Sequence, residues 1–298
     1  MQRRTFLRAT GLSSALLALS SKELMATLFQ QPGFKIKMLR GDVSIFSERG
    51  GTIGFYPSKE GFVVVDSQFP DTAKHLIDEL KKTNEKPFKL LINTHHHGDH
   101  TGGNISFKDI TEHVVGHENC LSNYKRVAEL NKTVEKQLFQ DITFGESWKQ
   151  KIGKEKLRSY YFGAAHTNGD AIIHFENANI AHMGDLLFNQ MHPFIDRSAG
   201  ASIKNWIQVI EKTHKTFDKD TLFIFGHAAD PEKVTGNKED LTAFADYLQK
   251  LLAFVEGEIK SGKSREDIIK IKDIPGLSWK ANGAERSITA AYDELTSK

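Results

Sequence analysis

Thr94-His95-His96-His97-Gly98-Asp99-His100-Thr101-Gly102-Gly103 is the stretch that decides how this chain is read. It sets His95, His97, Asp99 and His100 in the order H-x-H-x-D-H, directly after the apolar run Phe88-Lys89-Leu90-Leu91-Ile92. That order describes a buried strand delivering its end into a polar loop. Alternate residues of an extended chain share a face, so His95 and His97 point the same way. His96 then points away from them, towards a core or supporting contact. Asp99 and His100 follow where the chain turns and address a second point nearby. Gly98 permits that turn, and Gly102-Gly103 permit close packing after it. Neutral imidazole and carboxylate are donors that zinc accepts. A merely histidine-rich surface loop would need neither the preceding strand nor the glycines, so the run reads as a metal-binding loop.

One loop does not complete a metal site, and three later places repeat its grammar. His166 lies in Phe162-Gly163-Ala164-Ala165-His166-Thr167-Asn168-Gly169-Asp170, between two strand-like runs. Asp185 lies in His182-Met183-Gly184-Asp185-Leu186-Leu187, after the short strand Asn179-Ile180-Ala181. His227 lies in Leu222-Phe223-Ile224-Phe225-Gly226-His227-Ala228, again where a strand ends. Each has an apolar strand, a glycine within a few residues, then a ligand-type side chain. Side chains at successive strand ends converge on one sheet edge, where open α/β architectures place their sites.

With these motifs together, the chain from about Gly41 to Ala229 resembles the metallo-β-lactamase-fold hydrolases. The resemblance implies an α/β fold, a four-layer αβ/βα sandwich with its site on the shared edge of two sheets. It implies that His95, His97 and His166 hold a first metal, that Asp99, His100 and His227 hold a second, and that Asp185 bridges both. It also implies that Asp66, in Gly61-Phe62-Val63-Val64-Val65-Asp66-Ser67, braces the histidine loop. Two adjacent divalent ions, most simply zinc, lower the pKa of a shared water towards about 7, so a bridging hydroxide can attack a polarised carbonyl or phosphoryl group. Asp99 and Asp185 are then the residues closest to the chemistry, Asp99 also as a proton shuttle.

A departure narrows the substrate. The zinc β-lactamases usually carry Cys or Ser where this chain has Asp185, and the only cysteine here, Cys120, is far from any ligand position and reads as a buried, inert thiol. An aspartate there is shared by glyoxalase II-like thioesterases and lactonases. The expectation is therefore hydrolysis of an ester, thioester, lactone or similar bond in a small-molecule substrate. A genuine β-lactamase is the first alternative, and a periplasmic protein that binds metal without catalysis is the second. A related branch of the fold uses a single iron for sulfur oxygenation, but retention of all seven ligands favours two metals.

The N-terminus, Met1-Gln2-Arg3-Arg4-Thr5-Phe6-Leu7-Arg8, reads as a twin-arginine export signal, followed by an apolar stretch, Ala9 to Leu19. That stretch is shorter than the about 20 residues a spanning helix needs, so no stable membrane anchor is expected. The expected organisation is a signal over 1–26, a catalytic domain over 27–236 and a C-terminal helical segment over 237–298, in a periplasmic or secreted protein handled by the twin-arginine machinery. Loss of Arg3, Arg4 and Arg8 with the signal takes the formal charge from +2 to −1. A near-neutral chain lacks the electrostatic footprint of a nucleic-acid binder. One cysteine permits no internal disulfide.

Short strand-like runs fill Phe34 to Asp66: Lys35–Met38, Val43–Phe46, Thr52–Phe55 and Phe62–Val65. Asp71 is expected to cap a helix from Thr72 to Lys82, and residues 122–142 are expected to be helical, as a rim or lid. From Asn237 onward, Leu241, Phe244, Tyr247, Leu248, Leu251, Leu252 and Val255 form one apolar helical face, suited to packing on the sandwich or to a dimer contact. His117 and His182 read as structural. Asn189 and His192 follow Asp185 on a loop that can overhang the metals, and are candidates for orienting substrate. Replacing Arg3 and Arg4 together with lysine is expected to strand the protein in the cytoplasm; fractionation showing unchanged export would remove the twin-arginine reading.

Overall fold

The computed structural model describes residues 33–279 and 281–297; the expected signal over 1–26 lies outside them. Residues Ile36–Lys298 form one compact unit, which holds the elements that matter here. The first sheet runs in chain order: β1 (Lys35–Arg40), β2 (Val43–Ser47), β3 (Ile53–Pro57), β4 (Phe62–Val65), β5 (Phe88–Ile92), β6 (Thr111–His117) and β7 (Ile142–Phe144). Its hairpins β2–β3 and β3–β4 are antiparallel, whereas β4 to β7 pair in parallel. Parallel neighbours need crossovers, supplied by helices α1 (Pro70–Lys81), α2 (Gly98–Thr101) with the 3-10 turn after it, and α3 (Glu118–Leu130).

The second sheet has the order β15-β13-β11-β10-β9-β8, from β8 (Ser147–Ile152), β9 (Glu155–Tyr160), β10 (Ile172–Phe175), β11 (Ile180–His182), β13 (Leu222–Ile224) and β15 (Thr235–Gly236). A two-stranded ribbon, β12 (Phe188–Asn189) with β14 (His227–Ala228), completes the strands. Helices α4 (Ile203–Thr216), α5 (Lys238–Lys260), α6 (Arg265–Ile269) and α7 (Glu285–Thr296) follow. Strand alternation assigns the two faces. Val63, Val65, Leu90 and Ile92 of the first sheet meet Ile173, Phe175, Ile180 and Ile224 of the second in one buried cluster. From the other face of the second sheet, Ile172, Ala181 and Phe223 pack into the helical layer with Trp206, Phe244 and Leu248. Helices therefore cover both sheets, the expected α/β sandwich with a C-terminal helical segment.

The expected apolar face of α5 is buried except for Leu252, which is partly exposed, and it packs inward on α4 and the second sheet. Asn237 caps this helix: its side chain accepts from Glu239 N–H, and Asp240 accepts from Asn237 N–H, both at 2.9 Å. Two expectations need correction. Helix α1 starts at Pro70, and Asp71 is inside its first turn, paired with Arg49 at 2.6 Å. Thr72 Oγ1 takes the Phe69 N–H instead, at 3.1 Å, because proline at the first helical position moves the start back. Residues 122–142 are helical only to Leu130. Lys132 then takes a left-handed φ of 54°, and the chain runs to β7 through a short 3-10 turn.

Among the described residues no helix is long and apolar enough to cross a membrane. Trp206 is the largest fully buried side chain. Its indole N–H donates to the Leu186 carbonyl at 3.0 Å, and its ring meets Phe244 edge-on at 5.3 Å. Trp206→Ala is expected to cost about 3–5 kcal/mol in urea unfolding of the metal-free protein. A loss below about 1 kcal/mol would mean that the helical layer is not part of the cooperative core.

Candidate metal centre

The parallel strand ends bring the ligand-type residues together. β5 releases the chain at Asn93, and Thr94 accepts from Ala171 N–H of the second sheet at 2.8 Å, which joins the two sheet edges. β11 and β13 run side by side, and Gly226 N–H donates to Gly184 O at 2.8 Å, so the segments carrying Asp185 and His227 leave the sheet together. The ribbon extends this register, pairing Phe188 with His227. Gly226 is required here because a Cβ at that position would collide with Asp185 Oδ1.

All seven expected ligand residues meet at this edge, in two groups. His95 Nε2 and His166 Nε2 lie 3.1 and 2.8 Å from His97 Nδ1. His227 Nε2 lies 3.0 Å from Asp99 Oδ2 and 3.4 Å from His100 Nε2. Asp185 reaches both groups with different atoms. Its Oδ2 is 3.7 Å from His95 Nε2 and 3.4 Å from His166 Nε2, whereas its Oδ1 is 3.0 Å from His100 Nε2 and 3.4 Å from His227 Nε2.

The far side of the rings fixes what these nitrogens present. His95 Nδ1 faces Thr94 Oγ1 at 3.0 Å, and that hydroxyl donates to Asp66 Oδ2 at 2.8 Å. His166 Nδ1–H donates to the Phe194 carbonyl at 2.8 Å, and His97 Nε2–H donates to Asp196 Oδ2 at 3.0 Å. His100 Nδ1–H donates to Asp66 Oδ2 at 2.7 Å. A ring whose far nitrogen is the donor turns a lone pair inward. In the first group the inner atoms are thus acceptors facing acceptors, whereas in the second His100 Nε2 and His227 Nε2 each lie 3.0 Å from a carboxylate oxygen, of Asp185 and Asp99. Such an arrangement fits a cation and little else. Nitrogens bound to zinc at about 2.0–2.1 Å in tetrahedral geometry sit roughly 3.3 Å apart, close to the spacing within each group.

Electrostatics separate the two groups: in the metal-free protein the first is neutral and the second holds positive charge against its carboxylates. Burial, reinforced by the neighbouring imidazoles, holds His95 well below the ordinary histidine range and His166 at about 3, so both are neutral at pH 7. Burial pulls His100 down as well, but the carboxylates of Asp185, Asp99 and Asp66 outweigh it and hold the ring well above its usual value. Burial would raise Asp185, yet His227, His100 and His95 keep it well below the carboxylate range. Asp99 is held at about 2 in the same way, by His100 and His227 against burial.

Asp66 braces the loop as expected. It is fully buried at a left-handed φ of 64°, and its Oδ1 accepts the Thr94 N–H at 2.8 Å. His182 is structural: it bonds Thr52 O at 2.9 Å and accepts from Gly184 N–H at 3.1 Å. His117 caps α3 through Asn119 N–H and stacks on Tyr161. Cys120 is buried, and desolvation pushes its thiol well above the usual range. His96 is buried beside His97, their ring centroids 4.5 Å apart, with Nε2 3.8 Å from Asp196 Oδ2.

Asn189 and His192 need correction. Asn189 donates its amide to Lys233 O at 2.9 Å, and His192 bonds the Tyr247 hydroxyl at 2.7 Å, so both are buried supports of the ribbon and its loop. The overhang comes instead from Phe188, Met191, Phe194 and Asn282, which wall a cavity of about 480 Å³ over His97, Asp99, Asp185 and His227. No residue of 122–142 lines it, which removes the expected lid. Asn282 reaches the site because Met191 bridges to Ala281 and His192 N–H donates to Ala281 O at 3.1 Å. Asn282 and Asp196 carry no sequence motif, and a backbone acceptor such as Phe194 O carries none in any protein.

The profile of the metallo-beta-lactamase superfamily matches residues 48–241. The type 2 metallo-beta-lactamase of Elizabethkingia meningoseptica is 24% identical over 243 residues, covering 78% of this chain and 94% of that protein. The hydroxyacylglutathione hydrolase of Pelagibacter ubique is 27% identical over 201 residues, 64% of this chain and 77% of that protein. Among solved structures, a metallo-beta-lactamase from Pontibacter korlensis superposes with a TM-score of 0.59 at 21% identity, over 72% of this chain and 99% of that one; this likeness concerns the fold.

Removing the Asp66 carboxylate leaves Thr94 N–H, Thr94 Oγ1 and His100 Nδ1 without their buried acceptor. Asp66→Ala is expected to cost about 3 kcal/mol, and Asp66→Asn, which tolerates the left-handed backbone, less. Thermal unfolding of the metal-free proteins measures both. An Asp66→Ala variant as stable as the parent would show that the loop holds itself.

Proposed function

The chain belongs to the metallo-beta-lactamase superfamily, and from that premise we propose that it is a hydrolase working with a dinuclear metal centre on an ester, thioester or lactone. Asp185 is the observation that carries the dinuclear reading, because its two oxygens face two separate groups of ligands. His95, His97 and His166 would hold one ion, Asp99, His100 and His227 the other, with Asp185 shared. Bound there, divalent metal supplies an activated water at neutral pH and a Lewis acid for the substrate oxygen. Zinc suits the nitrogen and oxygen donor set best.

The protein's own groups do the rest. His95, His166 and Asp185 are buried, so they fix geometry and exclude water. Asp99 and His227 are partly exposed on the cavity side and are the ligands that an incoming substrate meets. Asp99 stays ionised across the working pH range, so it acts first through charge and position, and as a proton carrier only secondarily. Phe188, Met191 and Phe194 offer an apolar wall, with Phe194 44% exposed, and Asn282 adds one neutral hydrogen-bonding group. Among the described residues that line the cavity none is lysine or arginine. An uncharged ester, thioester or lactone suits that wall better than a carboxylate-bearing lactam. The N-terminal arginine pair supports export to the periplasm or beyond as part of this proposal.

The test is metal content by mass spectrometry together with a hydrolysis panel of the zinc-loaded protein: a lactone, a thioester, an aryl ester and a chromogenic cephalosporin. The expected result is two metals per chain and turnover of one ester class. Asp185→Ala should lose about 10²-fold or more of that turnover. Strong cephalosporin turnover would replace this reading with a β-lactamase, which the likeness to type 2 metallo-beta-lactamases favours. Bound metal with no turnover would leave a binding protein. One iron per chain with oxygen-dependent turnover would overturn the hydrolase reading.

A further inference from the structure

The segment Phe194–Ala199 packs behind the first ligand group, with the Phe194 side chain on the cavity wall, and it touches two of the three histidines. Phe194 O accepts from His166 Nδ1–H at 2.8 Å, and Asp196 Oδ2 accepts from His97 Nε2–H at 3.0 Å. The same segment is tied to His166 through the main chain, Asp196 N–H donating to His166 O at 3.1 Å. Asp196 is itself held rigidly. Its Oδ1 accepts from Ser198 Oγ at 2.5 Å and from Ala199 N–H at 3.1 Å, across a 3-10 turn over Arg197–Ala199.

His97 differs from the other ligand histidines in presenting Nδ1, not Nε2, to its group. An imidazole can turn either nitrogen inward, and the acceptor behind the ring decides which. Without Asp196, His97 has no partner at Nε2 that would favour the tautomer with a lone pair on Nδ1. His97 is also the only member of its group whose ring is directly backed by a carboxylate. His166 is backed by a carbonyl and His95 by the Thr94 hydroxyl. In the second group His100 is backed by Asp66. Each group therefore has one histidine with a carboxylate directly behind it, Asp196 for the first and Asp66 for the second.

We propose that Asp196 is the positioning residue of the first metal site: it fixes the tautomer and orientation of His97 and adds negative charge to that site alone. The proposal rests on the dinuclear reading of the centre. Acceptors behind ligating histidines typically change metal affinity by about 10–100-fold. His96, buried beside Asp196 with neither ring nitrogen hydrogen-bonded, gives the carboxylate no competing partner.

The experiment compares the full chain with Asp196→Ala and Asp196→Asn. Zinc affinity of each site is measured by competition with a chromophoric chelator, and histidine ring ¹⁵N spectra report which rings lose metal. The expected result is a loss of about 10–100-fold at the site seen by His95, His97 and His166, with the site seen by His100 and His227 unchanged. Asp196→Asn keeps an oxygen acceptor and should recover part of the loss. The ring proton on His97 Nε2 should be visible in the parent and absent in Asp196→Ala. Equal weakening of both sites, or an unchanged first site, would overturn the role of Asp196 while leaving the dinuclear reading intact. So would a fall in metal-free melting temperature that accounts for the whole loss in Asp196→Asn. A parent chain that binds no zinc would overturn both.

Discussion

Acceptor atoms converging on acceptor atoms is the constraint on which the rest of this structure depends. Five imidazoles and two carboxylates meet at one sheet edge, with inner nitrogens of the first group 2.8–3.1 Å apart. Left to themselves they would rotate apart or take up protons. They are held because the rings are anchored from behind, by Asp66, Thr94, Phe194 O and Asp196, and by packing such as the stack of His227 on Phe188. These outer contacts, more than the ligand set itself, make the difference between a cluster of histidines and a metal site.

The fold makes the convergence possible by placing strand ends, not strand middles, at the site. β5, β11 and β13 each stop a few residues short of a ligand, and each is followed by a turn with no room to spare. Thr94 O, Gly184 O and Gly226 O accept main-chain hydrogen bonds from Ala171, Gly226 and Thr52, so the Asp185 and His227 turns are locked to each other and the histidine loop to the start of β10. The buried faces of the sheets fix the strands themselves. Function here lives in loops whose positions are set by the core.

That division explains what the sequence made legible. Strand ends with glycine and a ligand-type residue have a local signature, and the seven ligand-type residues named from it are the ones the structure gathers. The apolar face of α5 was equally plain, because 3.6-residue periodicity over 23 residues has few other readings. Local signals failed where a neighbour in space decided the outcome. Pro70 shifted the start of α1 past Asp71, and the ribbon pairing took Asn189 and His192 out of reach of the cavity. Asp196 and Asn282 had no signature because their roles depend on where two loops meet: Asn282 lies 90 residues beyond His192 in the chain and reaches that loop only through space.

A site of this kind is a burden on the fold when empty and a support when filled. The buried Asp66, Asp185, His95, His100 and His166 contribute desolvation costs that their mutual contacts offset only in part, because several of those contacts are between like atoms. Ligand binding to the native state alone adds about 4.1 kcal/mol when free metal exceeds its dissociation constant a thousandfold. The metal-free chain must nonetheless keep its loops in place, or there would be no preformed site to bind. The large inter-sheet core and the helical layer around Trp206 provide that reserve, and the tight turn at Gly226 shows how little slack it leaves. Stability and function are thus coupled in one direction: the core holds the ligands in an arrangement they would not choose, and the metal is what makes that arrangement favourable.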